Sequence, residues 1–267
     1  EKSAYGPIIK NVSDMDSFLV ANEGGRTKPK ENDLTSAEIA NSSLIDYANG
    51  QHDIIDSWTP PNGIEVTQIA GWGVDTLSGV EFYTLNSVRK YRPVFIEDGD
   101  GTVPVPSALL MATSTDVKRY WVNLDSYFRA TSIKHDHKDL FEIPTLEDFI
   151  KNIISNSTST LPAYIVTSQP SPISNKKLTF FLHSPLTLQL KDASGNITGL
   201  AEDGTVSGDI SGATYGEFGD VKYIIADAGA NYELILHGQD TGTFSLDIQE
   251  SSGGVVTESS TIANVPT

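Results

Sequence analysis

The chain has 267 residues, and at about 150 residues per domain that length predicts two compact units. Eighteen basic against 35 acidic side chains leave a net charge of −17, which argues against nucleic acid and anionic membrane as partners, because neutralising phosphates needs clustered Lys and Arg. The absence of cysteine removes disulfides, thiolate catalysis and Cys-ligated metal centres together.

Hydrophobic residues make up 38% of the chain, with 10 Phe, 10 Tyr and 3 Trp, enough for a core and too much for wholesale disorder. No apolar run is long enough to serve as a transmembrane segment. The chain opens at Glu1 rather than Met, with no signal peptide visible, so a processed or truncated product is expected. An acidic, cysteine-free composition rich in Ser, Thr and Gly fits a secreted or extracellular protein of bacterial or archaeal type.

In chain order, Thr35 and Glu38 have capping-box spacing ahead of an apolar pattern at Ile39, Leu44, Tyr47 and Ala48. Gly50 is the expected stop. Ile54, Ile55 and Trp58 predict a second short helix ending at Pro60 and Pro61. Strands are predicted at Ile64–Ala70, running into Gly71-Trp72-Gly73, and at Val117–Leu124. Leu146, Phe149, Ile150, Ile153 and Ile154 mark one face of a helix after Pro144, with Thr145 as its cap. Strand, loop, strand, loop, helix is α/β grammar.

The polar run from Ser155 to Thr160 reads as a linker, dividing the chain into 1–160 and 161–267. The second half changes character: it holds 4 of the 18 basic residues and 12 of the 22 glycines. Short strands are predicted around Leu178–Leu182, Leu186–Leu190, Tyr223–Ile225, Tyr232–Leu236 and Phe244–Ile248. Turn clusters separate them at Asp192–Asn196, Asp203-Gly204, Asp227–Gly229 and Asp240–Gly242. That punctuation predicts an antiparallel β-sandwich. Its expected core is Leu178, Phe180, Leu182, Leu188, Ile224, Leu234, Leu236, Phe244, Leu246 and Ile248. The predicted fold class is therefore α/β followed by all-β.

Two stretches carry chemistry. Glu97 to Pro104 reads EDGDGTVP and is followed by Ser107; Lys134 to Phe141 reads KHDHKDLF and opens the last helix of the first half. An acid after one strand and a histidine after the next is the order in which α/β-hydrolases place the later members of a Ser–Asp–His triad. There the histidine is general base to a serine, and the carboxylate fixes its tautomer.

With Gly71-Trp72-Gly73-Val74-Asp75-Thr76 upstream, with Asp98 to Pro104 and Ser107, and with His137-Lys138-Asp139-Leu140 downstream, the chain resembles the lecithin:cholesterol acyltransferase-like lipases and acyltransferases over about residues 35–155. The resemblance implies the C-terminal part of an α/β-hydrolase sheet, with Asp100 as orienting acid and His137 as base. It implies an acyl-ester or lipid substrate and no cofactor. The departure is the nucleophile. No Gly-x-Ser-x-Gly occurs in these residues, so an N-terminal hydrolase portion upstream of Glu1 is expected to supply serine and oxyanion donors.

Plainer readings stand beside these. Asp-Gly-Asp-Gly is a common turn, and an EF-hand register fails because Ile96 and Ser107 would occupy its first and last positions. Asp98 fits loop ordering better than direct action. His135 is the alternative base, and His135 with His137 is a conceivable metal pair without the further histidine such centres use, so no metal is expected. Trp58, Trp72 and Trp121 fit core or lid packing, with Trp72 the candidate substrate-binding residue. Asp192, Asp203 and Asp240 have calcium-binding chemistry but are ordinary turn residues. The function these residues imply is a secreted serine hydrolase or acyltransferase of lipid metabolism. The alternative is a non-catalytic secreted module that binds glycan or another surface.

Overall fold

A computed structural model of the chain describes residues 12–20, 40–85, 88–111, 114–157, 160–171, 176–183 and 185–267. The chain forms two compact units. One comprises residues 1–69, 82–90 and 106–119; the other comprises Ala70–Glu81, Tyr91–Val105 and Tyr120–Thr267. The boundary expected at 160/161 falls inside the second unit.

In the first unit, the helix Ser42–Ile55 starts where the Asn41 side chain accepts from the Leu44 N–H. The expected box at Thr35 and Glu38 lies outside the described residues. Gly50 does not stop this helix. Glycine in a helix interior costs only about 1 kcal/mol, and the helix runs through to Ile55, merging the two that were expected. Trp58, beyond its end, is 45% exposed. No described helix is long and apolar enough to cross a membrane.

The two predicted α/β strands are β1 (Val66–Trp72) and β4 (Val117–Asn123). They are parallel neighbours in a sheet ordered β1-β4-β5, where β5 is Ile165–Val166, antiparallel to β4. Between them lie β2 (Thr76–Leu85) and β3 (Val88–Ile96), a two-stranded ribbon the sequence pattern did not reveal. Gly79 and Pro93 interrupt its alternation, and both residues disfavour a strand assignment. The final helix of this part spans Pro144–Ile154 and buries Leu146 and Phe149. Its N-cap is Ile143 with no side-chain cap, and Pro144 occupies the first turn. Thr145 is therefore not the cap; its buried hydroxyl has no hydrogen-bond partner among the described residues. Proline has no N–H to satisfy, which lowers the need for a capping side chain.

The rest of the second unit is an antiparallel sandwich. Its strands are β6 (Lys176–His183), β7 (Leu186–Asp192), β8 (Ile197–Leu200), β9 (Val206–Gly208), β10 (Thr214–Phe218), β11 (Val221–Asp227), β12 (Tyr232–Gly238), β13 (Thr243–Ser252) and β14 (Val255–Pro266). One sheet is ordered β10-β11-β6-β13-β14 and the other β12-β7-β8-β9. Phe180 of β6 stands between Ile224 of β11 and Ile248 of β13, so strand alternation aims all three at the facing sheet. There they meet Leu186, Leu188 and Leu190. All ten expected core residues belong to this cluster, which Ile210, Ala213, Tyr215, Ala226 and Tyr232 extend.

The outer face of the five-stranded sheet is covered in part by β3. Phe95 packs on Tyr223 with centroids 4.8 Å apart, Tyr91 meets Phe218 edge-on at 6.1 Å, and Arg92 lies over Phe181 at 5.9 Å. A segment that precedes the sandwich by about eighty residues thus covers part of the face turned away from its core.

Candidate active site: an acid–histidine pair

The loop after β3 is held by glycines and one threonine. Gly71, on β1, lies so close to Asp100 that an added Cβ would fall 2.6 Å from the Asp100 Cβ. Thr76 donates its hydroxyl to the Val74 carbonyl at 2.8 Å and accepts from the Gly101 N–H at 2.8 Å. A Cβ on Gly99 would collide with that hydroxyl at 2.4 Å, and Gly101 has φ +92°. The Gly-x-Gly-x-x-Thr and Asp-Gly-Asp-Gly segments are thus two halves of one cradle.

Inside it Asp100 is 4% exposed. Its Oδ1 accepts from the backbone N–H of Val103 at 2.7 Å and of Thr102 at 3.1 Å. Its Oδ2 lies 2.9 Å from Nδ1 of His137. The His137 N–H also donates to the Asp100 carbonyl at 2.8 Å, so the residue is fixed at two points. A carboxylate only accepts, so in the neutral imidazole this contact puts the proton on Nδ1 and the lone pair on Nε2. The His137 side chain is 49% exposed.

Local structure delivers His137 to this place. After β4 comes the helix Leu124–Thr131, capped by Asn123 and stopped by Ser132 in the left-handed conformation, φ 60°. The chain then enters a 3₁₀ turn, His137–Glu142, through a capping box: the Asp136 side chain accepts from the Lys138 N–H, and Asp139 accepts from the Asp136 N–H. Burial works against the charge on Asp136, but the ammonium and N–H of Lys138 outweigh it and hold this carboxyl below its ordinary value. His137 is the first residue inside the turn.

The other candidates fall elsewhere. His135 is nearly buried, with Nδ1 3.4 Å from Asp139 and its ring edge-on to Tyr127 at 5.3 Å; it does not face Asp100. Trp72, the candidate substrate residue, is 1% exposed and donates to the Asp98 side chain, so it supports the acid loop from within the core. Asp98 orders that loop: its carbonyl accepts from the Val105 N–H at 2.9 Å, and its side chain takes hydrogen bonds from Gln169 and Trp72. Burial pushes its carboxyl above the ordinary value despite those two bonds. Among the described residues no group of three or more His, Asp or Glu has metal-binding geometry.

A cavity of about 290 Å³ adjoins the loop, lined by residues that include Phe95, Gly101, Thr102, Phe128, His135 and Tyr223. Asp100 and His137 are not on its wall, so the pair opens to the surface beside the cavity rather than into it. The chain matches no family model, no curated protein and no solved structure.

Proposed function

We propose that this chain carries the acid and base of a serine-hydrolase triad, Asp100 and His137, for cleavage or transfer of acyl esters. The supporting observation is the pair itself: a buried carboxylate anchored by two backbone N–H groups, and a half-exposed histidine bonded to it through Nδ1. In such a triad Nε2 takes the proton of the serine hydroxyl as it attacks the acyl carbon, and the acid stabilises the imidazolium that forms. The strand–acid–strand–histidine–helix order adds to that support. The reading requires a nucleophile in chain upstream of residue 1.

The test is turnover of a short-chain p-nitrophenyl ester by residues 1–267 and by an upstream-extended protein. Saturable, fluorophosphonate-sensitive turnover is expected only from the extended protein. Such activity from residues 1–267 alone would overturn the division of labour. A second reading, a secreted glycan-binding module, is favoured by one observation: the cavity is walled by Phe95, Phe128 and Tyr223 beside carboxylates and excludes the pair. Saccharide-induced shifts at those aromatics, with no esterase in the extended protein, would select it.

A further inference from the structure

Lys177, at the start of β6, donates to both carboxylate oxygens of Asp75, at 2.7 and 2.8 Å. Glu97 Oε1 lies 3.6 Å from the same Nζ. The Lys177 and Glu97 side chains are 19% and 9% exposed, that of Asp75 26%. All three sit with Phe95 and Ile225 on a wall common to two cavities. An amine, an acid and a second carboxylate are thus held together on one partly buried wall, with Lys177 and Asp75 102 residues apart in sequence.

We propose that Lys177 and Asp75 condense into an intramolecular amide cross-link, with Glu97 as proton carrier. Nζ first passes one proton to the Asp75 carboxylate along the existing hydrogen bond, giving a neutral amine and a neutral acid. The amine then adds to Cγ of Asp75 and forms the C–N bond. Glu97 takes a second proton from Nζ and hands it to the departing oxygen, the C–O bond breaks, and water leaves through an adjoining cavity. Ammonium plus carboxylate become amide plus one water; nothing is oxidised or reduced, and Glu97 ends as it began.

Three physical arguments favour the step. The reacting groups are already in contact through both carboxylate oxygens, which lowers the entropic cost of bringing them together. Holding an ammonium–carboxylate pair away from water costs desolvation free energy, which a neutral amide does not incur. The product water has a way out of the site through the cavities that Lys177 and Asp75 line. One feature sets the barrier: burial disfavours the Lys177 ammonium, yet Asp75 and Glu97 outweigh it and hold its pKa above the ordinary value. The first proton transfer is therefore uphill, and reaction should be slow after folding. The inference is independent of the Asp100–His137 pair.

The test is intact-mass spectrometry of the denatured full chain. The expected mass is lower than that calculated from sequence by one water, and an unaltered mass overturns the proposal. Aspartate–glycine succinimides, at Asp98 or Asp100 for example, lose the same mass, as does cyclisation of Glu1. Trypsin digestion separates these cases: the cross-link joins the peptides containing residues 75 and 177 and protects Lys177 from cleavage. A water loss confined to a single peptide overturns it. Lys177→Arg and Asp75→Ala should have their calculated masses. Glu97→Gln leaves the Lys177–Asp75 contact in place and should stay unlinked over the time in which the parent chain completes the bond. Linkage at the parent rate would remove Glu97 from the role.

Discussion

Of the three histidine–aspartate pairs described in the second unit, His137–Asp100 and His183–Asp247 differ in each respect that bears on proton transfer. His137 uses Nδ1 toward Asp100 at 2.9 Å and is half-exposed. His183 uses Nε2 toward Asp247 at 3.5 Å, and the two side chains are 5% and 1% exposed. Asp247 is held as well by the Thr261 hydroxyl at 2.6 Å and by Arg92 at 3.7 Å. Arg92 also binds Glu81 at 2.7 Å. The second pair is a knot between β6, β13, β14 and β3; the first is anchored on one side and open on the other. Proton transfer needs a ring nitrogen that can be reached, and of these two histidines it is His137 that combines exposure with an oriented partner. A short His–Asp contact alone does not mark a site.

The contrast breaks first on activity. In the upstream-extended protein, His137→Ala should lower ester turnover on the order of 10⁶-fold, because triad members act as a unit. Asp100→Asn should cost about 10⁴-fold by favouring the wrong imidazole tautomer. His183→Ala should leave turnover near the parent value; equal losses from both histidines would erase the distinction drawn between the pairs. Stability should respond in the opposite order. Asp247→Ala breaks a buried, multiply bonded carboxylate and should cost about 3 kcal/mol in urea unfolding. Gly71→Ala falls between the two classes: its methyl would sit 2.6 Å from the Asp100 Cβ. The strain should cost about 2 kcal/mol and impair turnover by displacing the acid, whereas Gly50→Ala in the first unit, with open space around it, should be neutral or stabilising.

Why one pair could be read from sequence and the other could not follows from how each is built. Asp100 and His137 each sit in a short segment whose residue types are dictated locally, glycine for the loop and a capping box for the turn. His183 and Asp247 are single residues on the outer face of strands, brought together by β6–β13 register, which no local pattern encodes. The meeting of Lys177 with Asp75 and Glu97 escapes notice for the same reason: it is made by tertiary pairing between common charged residues. The inner face of the sandwich was legible because burial on one side imposes period two. The strand β14 was not, since among the described residues it is an edge strand beside β13 and is largely exposed, so Ser and Thr replace the apolar half of its pattern. Trp72 has the chemistry of a ligand-binding residue, but its place at the end of β1 puts it in the core, in keeping with the packing role its sequence context also suggests.

The smallest effect concerns Asp98, which shares the acid loop with Asp100 but is held for structure. Burial raises its folded-state pKa above the ordinary 3.8, against hydrogen bonds from Gln169 and Trp72, and its Oδ1 has no hydrogen-bond partner among the described residues. Between the ordinary and the raised value the folded state holds a proton that the unfolded state has released. The derivative of unfolding free energy with pH is then negative, so this group's contribution to stability declines as pH climbs through that window and stays reduced above it. Asparagine in its place keeps the acceptor for Trp72 and cannot ionise. Urea midpoints for the parent and Asp98→Asn should therefore diverge as pH rises from about 4 toward 7, with the variant gaining relative to the parent. Parallel profiles would mean that the carboxylate is as well solvated in the fold as out of it. Turnover in the extended protein should change only severalfold, since Asp98 reaches His137 through the loop it shapes and not through a bond of its own.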